Sequence, residues 1–187
     1  MRFVPVILAV LLCAELPASA EPRPRASGFY AEADFGARGF LGQAADYSAM
    51  GPIASVHLGY DLFSWLSIGG QLSASTHEAT VPPPPEGELY QLYGGGGEAR
   101  ISVPIGPMAI FADGAIGLSL ISTDVLVKVM VLDPGEELTP FFSAGGGLEY
   151  QLQNRHYALG VAGDWTLLPK FDATQAVSGR AYLRYTY

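Results

Sequence analysis

The residues able to do chemistry fall into small groups. Ser75, His77 and Glu78 stand close together and carry the side-chain types of a hydrolytic triad. A triad needs nucleophile, base and orienting acid in one geometry, which closeness along the chain does not supply. Histidines 57, 77 and 156 lack metal-ligand spacing, so the sequence predicts no metal site. His57 shares its alternation phase with Asp61 and is expected as a hydrogen-bonded interior residue rather than a pH switch. Gly94–Gly97 is glycine-rich, but no Gly-Lys-Ser/Thr follows and the run leads into a strand-like segment, so it is no phosphate loop. No catalytic residue and no cofactor site is expected.

The remaining polar residues make sense only with the elements that position them. The chain alternates with a period of two, the mark of strands between unlike environments. Eight segments show it: 28–38, 52–62, 65–75, 88–103, 108–120, 140–152, 156–168 and 179–187. One phase of each is apolar, as with Ala54, Val56, Leu58, Tyr60 and Leu62 in the second. The other phase carries Glu32, Asp34, Arg38, Glu98, Arg100, Asp113, Glu149, Asp164, Arg180 and Arg184. Short turns near 61–65, 104–107 and 152–155 alternate with longer loops near 39–51, 77–88, 122–139 and 168–175. Short turns on one rim and long loops on the other predict an all-β, eight-stranded antiparallel up-and-down transmembrane β-barrel.

The apolar phase then faces lipid and the charged phase faces the lumen. An interior of eight strands is just wide enough to be filled by side chains, so the ten charges are expected as a plug rather than the lining of a wide pore. Acids outnumber arginines there, which leaves some acids wet, near a rim or protonated. The aromatics divide by strand direction. Phe29, Tyr60, Trp65, Tyr150, Tyr157 and Tyr187 fall toward the short-turn rim, and Tyr93, Phe142 and Trp165 toward the long-loop rim. Two such girdles suit Tyr and Trp at membrane interfaces; the competing assignment is the core of a soluble sandwich. Strand glycines are expected to permit bending or to receive an aromatic from the next strand.

Residues 1–20 have the form of a cleaved secretory signal: Arg2, an apolar stretch from Phe3 to Leu12, and Ala18-Ser19-Ala20. The domain expectation is signal 1–20, linker 21–27 and barrel 28–187. The only cysteine, Cys13, lies in the signal, so no disulfide is expected in the mature chain. A net charge of −8 without a basic stripe argues against nucleic acid as a partner.

The final strand, Gly179-Arg-Ala-Tyr-Leu-Arg-Tyr-Thr-Tyr187, resembles the last strand of the small eight-stranded outer-membrane barrels of the OmpA, OmpX and OmpW type. There the terminal aromatic is read by the outer-membrane barrel assembly machinery, and Tyr187 stands in its place. The resemblance, over residues 28–187, implies a bacterial outer-membrane location with both termini periplasmic, contact with outer-membrane lipids, and other envelope proteins as partners. The whole chain also resembles a small barrel of the adventurous gliding-motility machinery. The expected role is a non-enzymatic anchor or partner-binding component. The alternatives are a narrow channel for small apolar solutes and a lipid-modifying enzyme.

Function then falls to the loops. Val125, Val127, Val129 and Val131 make 125–132 unusually apolar for a loop, either as a protein contact or as a segment folded back on the barrel mouth. Pro82–Pro85 is expected to be stiff polyproline. Glu78, Glu86, Glu88, Asp124, Asp133, Glu136, Glu137 and Asp172 make the long-loop rim acidic without EF-hand spacing.

Overall fold

The protein is described by a computed structural model, which covers residues 27–80, 89–121, 138–171 and 173–187. Eight strands appear in chain order: β1 (Phe29–Leu41), β2 (Gly51–Phe63), β3 (Leu66–Glu78), β4 (Leu89–Ile105), β5 (Met108–Ile121), β6 (Leu138–Gln151), β7 (Tyr157–Leu168) and β8 (Thr174–Thr186). Each pairs antiparallel with its neighbours in sequence, and β1 pairs with β8, from Tyr30↔Thr186 to Leu41↔Gln175, so the sheet closes. Closure leaves no edge strand. One helical turn, α1 (Ala44–Tyr47), sits in the β1–β2 connection.

The strands run further than the alternation alone suggested. β3 continues to Glu78, β4 to Ile105, and β8 starts at Thr174. As a result the β7–β8 connection, residues 169–173, is about as short as the β6–β7 turn, residues 152–156. The long-loop rim is therefore dominated by the β1–β2, β3–β4 and β5–β6 connections. The proposed signal 1–20, Pro82–Pro85, the apolar loop 125–132 and most of the rim acids lie outside the described residues.

The two faces are chemically opposite. Outward positions carry Val56, Leu58, Leu72, Ile101, Val103, Ile110, Ile116 and Val161, all exposed. Glu32, His57, Arg100 and Arg184 point inward and are buried. Exposed apolar side chains round the whole wall are the reverse of a water-soluble sandwich and suit a lipid-facing surface.

Interior volume is divided by pairing four of the inward aromatics with a glycine on an adjacent strand. Tyr30 faces Gly59, Phe111 faces Gly147, Phe141 faces Gly117, and Tyr182 faces Gly160. A Cβ on Gly160 would lie 2.2 Å from the Tyr182 ring, and one on Gly117 would lie 2.7 Å from Phe141. Each ring therefore lies flat over bare backbone and leaves the axis to the charged side chains. This is the second of the two glycine roles expected from sequence.

Candidate functional site: the lumen

Three layers fill the barrel from the short-turn rim to the long-loop rim. The first is ionic. Arg100 on β4 donates from Nη1 and Nη2 to the two Glu32 oxygens on β1, both at 2.9 Å. Its guanidinium lies 4.4 Å from the Phe111 ring centroid and 3.8 Å from Glu149 Oε2. The Tyr182 hydroxyl donates to Glu149 at 3.2 Å. Arg184 donates to Asp61, which also accepts from the Ser67 hydroxyl, and stacks over Tyr30 at 3.8 Å. Tyr30 in turn donates to Glu98 at 3.0 Å.

His57 links this layer to the next arginine. Its Nδ1 lies 2.6 Å from Glu98 Oε2, and because the acceptor is a carboxylate that nitrogen carries a proton. Its Nε2 lies 2.9 Å from Asp34 Oδ2 and 3.1 Å from Arg180 Nη1. Arg180 spans two acids: Nη1 donates to Asp34 at 2.7 Å, while Nε and Nη2 donate to Asp164 at 2.8 Å each. Asp113 makes no hydrogen bond among the described residues. Its Oδ1 and that of Asp164 both converge on Gly145, where a Cβ would lie 2.8 and 2.5 Å from them. Two carboxylates occupy the space a side chain would take.

A small polar chamber follows, lined by Ser55, Gln71, Ser73, Ser119, Ser143, Thr166 and Ser178, with Arg38, Asp164 and Arg180. The third layer is apolar. Tyr90, Leu92, Ile121, Phe141, Leu168 and Phe171 cluster beneath the mouth, with Phe40 packed on them. Above them is a second, small cavity, reaching α1 through Ala44 and Tyr47.

All ten sequence-singled charges face the lumen, but they do not form one set. Glu32, Asp34, Glu98, Arg100, Glu149, Asp164, Arg180 and Arg184 join the network. Asp113 and Arg38 stand outside it. The pairing of Asp61 with Arg184, and the hydrogen bonds of His57, Tyr30 and Tyr182, complete it. Their inward phase was legible in the sequence; their partners, far apart in the chain, were not.

The catalytic geometry fails at one point. His77 Nε2 does meet Ser75 Oγ at 3.0 Å, but Nδ1 faces the Ala49 carbonyl at 3.2 Å rather than an acid. Glu78 is exposed on the opposite face, and Ser75 and His77 are buried behind Phe40 and Tyr90. A metal is also disfavoured at the most compact donor set, Glu32, Asp34 and His57, whose atoms lie within 4.8 Å of one another. Arg100 and Arg180 already occupy its carboxylates and would repel a cation.

On the outside, Phe29, Tyr60, Trp65, Tyr150, Tyr157 and Tyr187 are exposed near the short-turn rim, and Tyr93, Phe142 and Trp165 near the long-loop rim. Phe63 and Tyr185 add to the first group: Phe63 stacks on Trp65 at 5.5 Å, and Tyr185 packs on Tyr157 at 4.8 Å.

No family model matches the chain, and no curated protein matches it. Solved structures do. Neisserial surface protein A superposes with a TM-score of 0.65 at 17% identity, over 87% of this chain and 99% of that one. Outer membrane protein OprG from Pseudomonas aeruginosa gives 0.56 at 9%, over 89% and 96%. Ail, the attachment invasion locus protein of Yersinia pestis, gives 0.52 at 8%, over 85% and 98%. At these identities the likeness is one of fold: the chain has the architecture of the small eight-stranded outer-membrane barrels.

Proposed function

We propose that the protein is a non-enzymatic barrel of the bacterial outer membrane, with both termini periplasmic, that anchors or binds another envelope component at its long-loop rim. One observation carries this reading: the lumen is filled, by the Glu32–Arg100 and Asp34–Arg180–Asp164 pairs below and by the Tyr90–Leu92–Leu168 cluster above. A barrel filled by buried ion pairs and packed rings is built to be rigid, not to conduct. Its interactions then belong to the rims and the outer wall. The sequence resemblance supplies the process, the gliding-motility machinery, and a role for Tyr187 in engaging the barrel assembly machinery.

The test compares affinity purification of wild type and a Val127→Asp/Val129→Asp variant from gently solubilised envelopes at equal barrel abundance. A defined partner set that is lost in the variant supports the reading and names the process. Recovery of the same partners in both rejects this loop as the contact.

A second reading rests on the cavity at the mouth, whose walls include Phe40, Leu92, Ile121, Leu168 and Phe171. Such walls suit a small apolar solute. Absence of any partner, together with solute uptake that depends on the barrel, would transfer the role to a narrow apolar route. A lipid-modifying enzyme has less support, since the Ser75–His77 pair is buried and lacks an acid.

A further inference from the structure

Arg38 is the outlier of the lumen. Every other inward arginine has a carboxylate within hydrogen-bond distance. Among the described residues Arg38 makes no hydrogen bond and no salt bridge, and its Nε is buried without an acceptor. Its guanidinium faces the polar chamber. The nearest acid of that chamber, Asp164, is committed: its two oxygens accept from Arg180 and from Ser178.

The chamber offers more donors than it uses. Gln71, Ser73, Ser119 and Ser143 line it and have no side-chain partner among the described residues. Ser73 and Ser119 come from β3 and β5 and converge over Gly94 of β4. A Cβ there would lie 2.7 Å from one hydroxyl and 3.4 Å from the other. The two hydroxyls therefore occupy the space a Gly94 side chain would take, brought together from β3 and β5 at the chamber wall. Water can satisfy hydroxyls, but it does not neutralise a guanidinium held inside a low-dielectric wall.

We propose that this chamber is a binding site for a small oxyanion, held by the Arg38 fork and by the Ser73, Ser119 and Ser143 hydroxyls. A planar guanidinium matches the two oxygens of a carboxylate or phosphate group. Hydroxyls on several strands complete the shell without adding charge. Walls of hydroxyls, Gln71 and charged side chains suit an inorganic anion or a short carboxylate and not the acyl chains of a lipid. The proposal stands apart from the rim reading, since it concerns a ligand inside the barrel and needs no protein partner.

The experiment follows the Arg38 Nε–H resonance of the ¹⁵N-arginine-labelled barrel in detergent micelles during titration with inorganic phosphate, sodium acetate or sodium chloride. The expected result is a saturable shift at Arg38 with phosphate, acetate or both, and none with chloride. Phosphate alone assigns a phosphate ligand; acetate alone assigns a carboxylate. Arg38→Gln assigns the resonance. The Ser73→Ala/Ser143→Ala variant keeps the full charge network and should weaken binding by about tenfold or more. A shift that does not saturate, or that the serine variant leaves unchanged, overturns the site and leaves a water-filled void.

Discussion

Arg100 and Glu32 face each other through two parallel bonds of 2.9 Å, although 68 residues separate them. They sit on strands that are not neighbours, β4 and β1, so the pair bridges the lumen rather than a seam of the sheet. Both are buried, and Arg100 is further sandwiched against Phe111 and Tyr182. Arg100→Ala takes both hydrogen bonds from the buried Glu32 carboxylate and leaves it only Arg184 at 3.9 Å, so it should cost about 3 kcal/mol. The Glu32→Gln/Arg100→Met double variant should recover most of that loss. Urea unfolding in detergent, read as a double-mutant cycle, decides; equal losses in single and double variants would show that the pair does not act as a unit.

Tyr182 and Gly160 make the second test. The ring lies where a Gly160 side chain would stand, with a Cβ-to-ring distance of 2.2 Å. Moving the ring would break its bond to Glu149. Gly160→Ala should therefore destabilise the barrel by about 1–3 kcal/mol. Gly179→Ala, whose Cβ would meet nothing within 4 Å, should leave the unfolding midpoint almost unchanged. Similar losses at both positions would refute the aromatic–glycine account.

The architecture was readable because barrel strands repeat a single rule. Alternation fixed which residues faced inward, from Glu32 to Arg184, and turn lengths fixed strand order. The site was less readable, for two physical reasons. Pairing across a lumen depends on shear and on side-chain reach, so Asp61 was placed beside His57 by phase yet bonds to Arg184. Inward positions are also not uniformly polar. Tyr90, Leu92, Phe141 and Leu168 form an apolar layer at the mouth, in the same inward phase that carries the charges lower down. Inward Ser73, Ser119 and Ser143 shared the polar phase, but nothing in a linear reading brings them into one chamber with Arg38.

The filled lumen makes an electrical prediction. In planar bilayers the wild-type barrel should show no steady conductance. Arg180→Ala removes the side chain that holds Asp34, Asp164 and His57 together. It should admit water and give brief openings selective for cations, because the acids left behind outnumber the remaining arginines. A large, stable wild-type conductance would overturn the plug, and the narrow-channel reading would take its place.

The β1–β8 pairing closes the sheet, and Tyr187 fastens one end of that seam. The Tyr187 amide donates to the Phe29 carbonyl at 2.9 Å, and its ring packs on Phe29 at 5.6 Å and on Tyr185 at 4.7 Å. The backbone bond survives substitution, whereas the ring contacts do not. Tyr187→Ala should therefore lower the folded, outer-membrane fraction while leaving any barrel that has closed structurally intact. Tyr187→Phe keeps both ring contacts and should restore wild-type levels. Fractionation with unheated gels separates folded from unfolded barrel in each variant. Normal levels of the alanine variant would show that β1–β8 pairing closes the barrel without its aromatic clasp.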